Sequence, residues 1–561
     1  MRKLLFILLL WASGALAAEG PDTLNIVRQL ASAGAPQLAL NRVEQSQPRD
    51  AAAPRWAEWE MLRFNLLFQL NRYAELLQRA SALPASMPAA SLREALSSAA
   101  RAAAATAQGA LARQYAARVL WQLSPAAGEL KELRLLVIES QVADKKGDDA
   151  FRSMLRYQQD YKPLERGTAI RFVEALLELG MAKEAVNWLG SLDDAHPVKL
   201  RLRLGAGLVA ADTAVAQARA QIARGGGIGY WQVLAQAATQ QKNRALQIES
   251  LENILQLADV KQAQRLAAQA QELWQVYLAV AQEISNQNQL LMGDDVTWMD
   301  FAARRLGTAP FASRALLAHL AQRGQTRETR HTAQLQIVFS LQTAKRELAA
   351  LRLFEHAGLE VGAIDTPARY LLGTIAESQN LPAAALRFWQ GLDTPPNSGA
   401  EDWQLRIATV ALRAGMMDRA AVALKSVIGA GKMLSAEPAQ RCVALVQEML
   451  DAGKPGLANE LFEALLPRVG AAQQRSVLFG LGRIHESSGQ PPVAADYYLR
   501  SALLADGRTP DALALRARLL AALNLARVGY KDDARVQFEW LLRNSKDAAQ
   551  LELARRELKK L

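Results

Sequence analysis

Few residue sets in this 561-residue chain are of a type and spacing that could do chemistry. Asp294 and Asp295 are adjacent carboxylates, the material of metal binding or acid–base work. They stand directly before Val296-Thr297-Trp298, where a helix is expected to start, and there an Asp caps exposed N–H groups and suits the helix dipole. The histidines, His196, His319, His331, His356 and His485, form no HExxH and no i, i+4 ligand pair, so no metal site is expected. Cys442 is the only cysteine; it cannot form an intramolecular disulfide and reads as a buried structural thiol at an inward helix position. Gly225-Gly226-Gly227-Ile228-Gly229 lacks the strand and the spaced third glycine of a dinucleotide loop, and reads as a linker. Gly431-Lys432 resembles the end of a phosphate loop, but Ser426 stands in place of its first glycine and Met433 in place of the magnesium-binding hydroxyl. No Gly-x-Ser-x-Gly elbow is present. No catalytic residue and no cofactor are therefore expected.

One charged cluster survives this sorting. Residues 301–350 hold eight basic side chains against two acidic ones, in a chain whose formal net charge is +11. Arg304, Arg305, Arg314, Arg323, Arg327 and Arg330 are the candidate anion-binding set. On a continuous helix Arg323, Arg327 and Arg330 would share a face, suited to an anionic glycan, a lipid head group or an acidic partner. The plainer reading is a solvated helix exterior.

The elements that would position these residues follow a long period. Pro48, Pro84, Pro125, Pro163 and Pro197 are spaced by 36, 41, 38 and 34 residues, and Asn380, Gly415, Gly453, Gly489 and Gly529 by 35, 38, 36 and 40. Such a period marks stacked supersecondary units, each too small to bury its own apolar face. Around Gly489, Leu478, Leu481 and Gly482 fall on one helix face, and Ala494, Tyr498 and Ser501 on the inner side of a second helix. Gly482 and Ala494 would let two backbones approach, with Tyr498 filling the space beside them. The register recurs as Leu372-Gly373, Ala385 and Trp389; as Ala408, Ala420 and Leu424; as Ala458 and Phe462; and as Ala522, Ala534 and Phe538. Toward the N-terminus it is carried by Val27, Gly34, Ala39 and Val43, and by Val173, Gly180, Ala185 and Leu189.

These positions resemble the tetratricopeptide repeat: a small residue in the first helix, a turn glycine, a small residue five positions later and an aromatic or leucine four further on. The family's first-helix Trp is missing. The resemblance covers 24–222 and 366–545 and implies an all-α fold, a right-handed superhelical solenoid of stacked antiparallel helix pairs whose first helices line a concave binding face. The expected organisation is a signal peptide at 1–17, N-terminal helical repeats at 18–222, a divergent central helical segment at 223–330 and C-terminal repeats at 331–561. In the central segment either longer helices stretch the period or a binding insertion interrupts it.

The first residues, Met1-Arg2-Lys3, an apolar run from Leu4 to Trp11 and then Ala15-Leu16-Ala17, form a secretory leader with cleavage expected after Ala17. The run is too short to span a bilayer, and no transmembrane segment is expected in the mature chain. A bacterial periplasm is the expected location, with full secretion left open, and nucleic acid is not an expected partner. An exported Ala-rich superhelix also resembles the non-catalytic part of soluble lytic transglycosylases, which cut peptidoglycan; Glu377-Ser378, the nearest match to their catalytic motif, lies inside a repeat. The function these features imply is a non-catalytic scaffold binding protein partners in cell-envelope assembly or polysaccharide or appendage export. The alternative is guidance of an anionic polysaccharide along the basic face, and the distant alternative a peptidoglycan-cleaving enzyme.

Overall fold

The computed structural model describes residues 22–259, 263–290, 294–356, 360–429, 431–504 and 510–561. The expected leader at 1–17 and its cleavage site lie outside the described residues, as does Gly293 of the loop expected before Asp294. The described residues form thirty α-helices and no strand. They divide into two compact units, one ending at Ala237 and one beginning at Ala238.

Within each unit, helices joined by short turns pack as antiparallel pairs, and like helices of successive pairs also touch. In the first unit Ala89–Ala105 packs on both Trp56–Gln69 and Ala127–Ala143. In the second, Ala436–Asp451 packs on both Ala400–Arg413 and Ala471–Ser487, while Met417–Gly429 meets Pro455–Leu465. Contacts between neighbours and next neighbours in sequence are what a stacked array requires.

The turn inside each pair has a common construction. Gly34, Gly180, Gly415, Gly453, Gly489 and Gly529 have positive φ, and so do Asn71, Ala107, Lys145, Lys242, Lys345 and Asn380. At each, the next N–H reaches back to a carbonyl of the preceding helix, as in Gln108 to Ala103 at 2.8 Å, Arg346 to Leu341 at 2.8 Å and Gln490 to His485 at 2.9 Å. This is the Schellman closure of a helix C-terminus, built here with or without glycine.

The expected close approaches are present. A Cβ on Gly482 would lie 2.6 Å from ring carbons of Tyr498, and one on Gly373 2.1 Å from Trp389 Nε1. Ala385, Ala420, Ala458, Ala494 and Ala534 are all fully buried opposite these first helices. One position differs. Leu189 is only half-buried, and Trp188 takes the inward place. After Ala185 the chain tightens into a 3-10 helix, Val186–Ser191, which rotates the following side chains.

The segment at 223–330 is helical through its described residues apart from short turns and includes the 26-residue helix Ala263–Asn288. It also departs from nearest-neighbour stacking. Glu347–Glu355 returns to Arg244–Leu257: the Gln256 side-chain carbonyl accepts from the N–H groups of Leu348 (2.9 Å) and Ala349 (3.3 Å). In the reverse direction Arg352 donates to the carbonyls of Leu255 and Ala258, closing the C-terminus of that earlier helix.

Candidate functional site

The six arginines of the basic cluster do not form one face. Arg323 ends the helix Pro310–Arg323, and Arg327 and Arg330 begin the next, Arg327–Thr343. The break has local causes: the Thr326 hydroxyl accepts from Thr329 N–H at 3.0 Å as an N-cap, and a Cβ on Gly324 would strike the Leu320 carbonyl at 2.6 Å. The shared face expected for Arg323, Arg327 and Arg330 is therefore corrected. Arg330 is used within the turn, donating to the carbonyl of Gly324 at 2.7 Å. Arg304 pairs with Asp300 at 2.5 Å, and the Arg305 guanidinium lies 3.5 Å from the Phe301 ring centre. Arg323 and Arg327 are exposed, and Arg327 Nε donates to His331 Nε2 at 3.4 Å.

Arg314 is not on the surface. It is 1% exposed and grips the fully buried Glu252 with two bonds of 2.8 Å, from Nε to Oε1 and from a terminal nitrogen to Oε2. Its other terminal nitrogen donates to Ser340 Oγ at 3.0 Å. Arg346 donates to the same Glu252 oxygen, and Tyr277, buried on the 26-residue helix, donates its hydroxyl to Oε1 at 2.7 Å. Burial, and then the neighbouring Glu252 charge, hold the Tyr277 phenol well above its ordinary value, so it stays a donor. Two guanidinium groups, the buried Arg314 and the half-buried Arg346, meet one carboxylate, leaving an excess of one positive charge.

Above this knot the surface is open and apolar. A cavity of about 450 Å³ lies between the helices Asp295–Arg305 and Pro310–Arg323 on one side and Arg327–Thr343 on the other. Leu306, Phe311 and Phe339 form its walls; Ser313, Arg314, Ser340 and Arg346 line it as well. Leu306 and Phe339 are each 50% exposed, and they lie together at the rim of this one hollow. The Phe311 ring also faces the Arg314 and Arg346 guanidinium groups at 5.2 and 5.9 Å. Phe339 and Gln336 are shared with a second hollow of about 700 Å³, which runs along the same helix to His331, Asp365 and Pro367. There His331 Nδ1 lies 3.0 Å from Asp365 Oδ1. The two hollows make a continuous strip along Arg327–Thr343, a first helix of its pair.

The sequence singled out the basic residues here but missed Phe339, Leu306 and Glu252. Phe339 sits two residues from the buried Ile337 and one from the buried Val338, and helical periodicity would have placed it outward. Glu252 lies 62 and 94 residues from its arginine partners, with no local signal.

The other chemistry-bearing residues have structural positions. Asp294 caps its helix, accepting from Thr297 N–H at 2.9 Å, and Asp295 accepts from Gln325 N–H at 2.7 Å, tying down the next turn. His485 shares a 2.7 Å hydrogen bond with Gln490 and stacks on Tyr497. Burial pushes the Cys442 thiol up to about 12, so it is inert as a nucleophile near neutral pH. Among the described residues no group of His, Cys, Asp and Glu could hold a metal ion, and no helix is long and apolar enough to cross a membrane.

No family model matches this chain and no curated protein matches it. Among solved structures it is similar to a chain of the APC/C hetero-tetramer Cut9-Hcn1 (12% identity, 97% of each chain covered, TM-score 0.24). It is similar also to the pentatricopeptide repeat protein PPR10 from maize (11% identity, 96% of this chain and 86% of that one, TM-score 0.28). A third is Naa15/Naa10 bound to HypK-THB (10% identity, 96% of each chain, TM-score 0.22). The chain is an all-α protein of stacked antiparallel helix pairs, whose turns and interlocked small residues resemble those of the tetratricopeptide repeat.

Proposed function

We propose that this chain is an exported, non-catalytic scaffold that binds protein partners in cell-envelope assembly or in polysaccharide or appendage export. The observation that carries binding is the strip along Arg327–Thr343, where half-exposed Phe339 and Leu306 border an open apolar hollow. Apolar side chains grouped around a groove, rather than scattered singly, favour an interaction surface. The leader at 1–17 supports export to the periplasm, and the lack of a fitting nucleophile or acid–base constellation in the sequence supports a non-catalytic role. Guidance of an anionic glycan is weaker than the arginine count implied, since Arg314 is buried, Arg330 closes a turn and Arg304 is paired.

The test is crosslinking in the source cells, then affinity capture of the tagged chain and mass spectrometry at low and high salt. Protein partners retained at high salt are expected, because an apolar groove is insensitive to screening. Glycan retained only at low salt, with no protein partner, would replace the scaffold reading with the glycan one. N-terminal sequencing of the purified chain should begin at Ala18; an intact Met1 would contradict export through this leader.

A further inference from the structure

Building on the scaffold reading, we infer that the hollow between Phe339, Phe311 and Leu306 takes one large apolar side chain of an extended partner segment, with an Asp or Glu beside it in that segment placed toward Arg346. Three observations lead there. The walls are apolar and the volume, about 450 Å³, exceeds that of any single side chain, so an aromatic or large aliphatic group fits with room for its backbone. The base is cationic by one charge, because Arg314 and Arg346 share only Glu252, and the half-buried Arg346 guanidinium, which lines the hollow, favours a carboxylate close by. The Ser313 hydroxyl, on a side chain 1% exposed that lines the hollow, has no hydrogen-bond partner among the described residues.

The form of the occupant follows from the strip. The hollow does not end at Phe339 but continues past it toward His331 and Pro367. A chain lying there enters and leaves, so an internal segment fits and a chain terminus is not required. The helix beneath has 17 residues and is therefore about 25 Å long. About seven extended residues span that length.

The experiment is selection of a displayed library of random 12-residue peptides on the purified chain. Selected peptides are expected to share a Trp, Phe, Tyr or Leu next to an Asp or Glu. Their affinity should fall at least tenfold on Phe339→Asp and on Leu306→Asp, both surface changes that leave the fold intact by circular dichroism. It should fall severalfold when the peptide's acid is replaced by its amide, and stay within twofold on Val422→Asp, an exposed position on another helix. Peptides that bind the Phe339→Asp and Leu306→Asp variants as tightly as the parent would overturn this assignment while leaving the scaffold reading standing. A selection yielding no binding peptide would sink both.

Discussion

Replacing Gly482 by alanine would drive a methyl group into Tyr498. The new Cβ would stand 2.6 Å from two ring carbons and 3.0 Å from a third, so ring or backbone must retreat by roughly 1 Å to reach ordinary contact. The ring has little freedom: Tyr498 is fully buried, its hydroxyl donates to Glu486 at 2.8 Å, and Phe479 lies 5.3 Å away. Overpacking costs about 1–3 kcal/mol, and loss of the Glu486 hydrogen bond about 1 kcal/mol more. We therefore expect Gly482→Ala to destabilise this pair by about 2–4 kcal/mol, although alanine is otherwise the better helix former. Tyr498→Ala alone should cost about 3–5 kcal/mol through the cavity it leaves. With Tyr498 already removed the Gly482→Ala methyl has room, so the double variant should fall short of the summed costs by at least about 1.5 kcal/mol. Hydrogen exchange of amides in 471–503 reads these changes locally, which suits a repeat array whose global unfolding need not be two-state. Gly456→Ala is the control, since a Cβ there meets nothing within 4 Å, and it should be neutral or slightly stabilising. Additive costs for Gly482 and Tyr498, or equal behaviour of Gly482→Ala and Gly456→Ala, would refute the close-approach argument.

Three further outcomes are expected. Ala107 adopts φ 57 at a helix-closing turn, so Ala107→Gly should relieve strain and raise the local opening free energy by about 1 kcal/mol, read by exchange of amides in 89–122; a loss would contradict it. Glu252→Ala would leave the buried Arg314 and the half-buried Arg346 without their counter-ion and should lower the local opening free energy by about 3–5 kcal/mol, read by hydrogen exchange of amides in 244–257 and 310–323; a change under about 1 kcal/mol would mean the knot is not formed. The Arg475 guanidinium first, and then the Ala514 N–H, hold the Asp511 carboxyl down to about 2. A depressed carboxylate contributes stability above its ordinary pKa and loses it as pH falls through the folded value, here from about 4 toward 2. Thermal stability should therefore fall less steeply over that window in Asp511→Asn than in the parent, and equal slopes would contradict the pairing.

Where a structural feature is local, the sequence displayed it. The glycine turns, the Gly482–Tyr498 and Gly373–Trp389 approaches and the Asp294 cap are all encoded within about twenty residues. The matching turns at Ala107, Lys145, Lys242 and Lys345 were hidden, because the left-handed conformation is imposed there by packing on a residue that does not advertise it. The charge pattern misled at Arg323–Arg330, where counting in helical steps ran across a break set by Gly324 and the Thr326 cap. The candidate site was least legible. Its floor joins Glu252 to Arg314 and Arg346 across helices distant in the chain, and only the fold brings them together.

The most direct test of a protein-binding groove is a photoreactive amino acid placed at position 339 in the source cells, with position 422 as the exposed control. Adducts from 339, persisting at high salt and mapping to an aromatic-and-acidic segment of one envelope protein, are the expected result. Adducts in equal yield from both positions, or glycan alone from 339, would contradict the account.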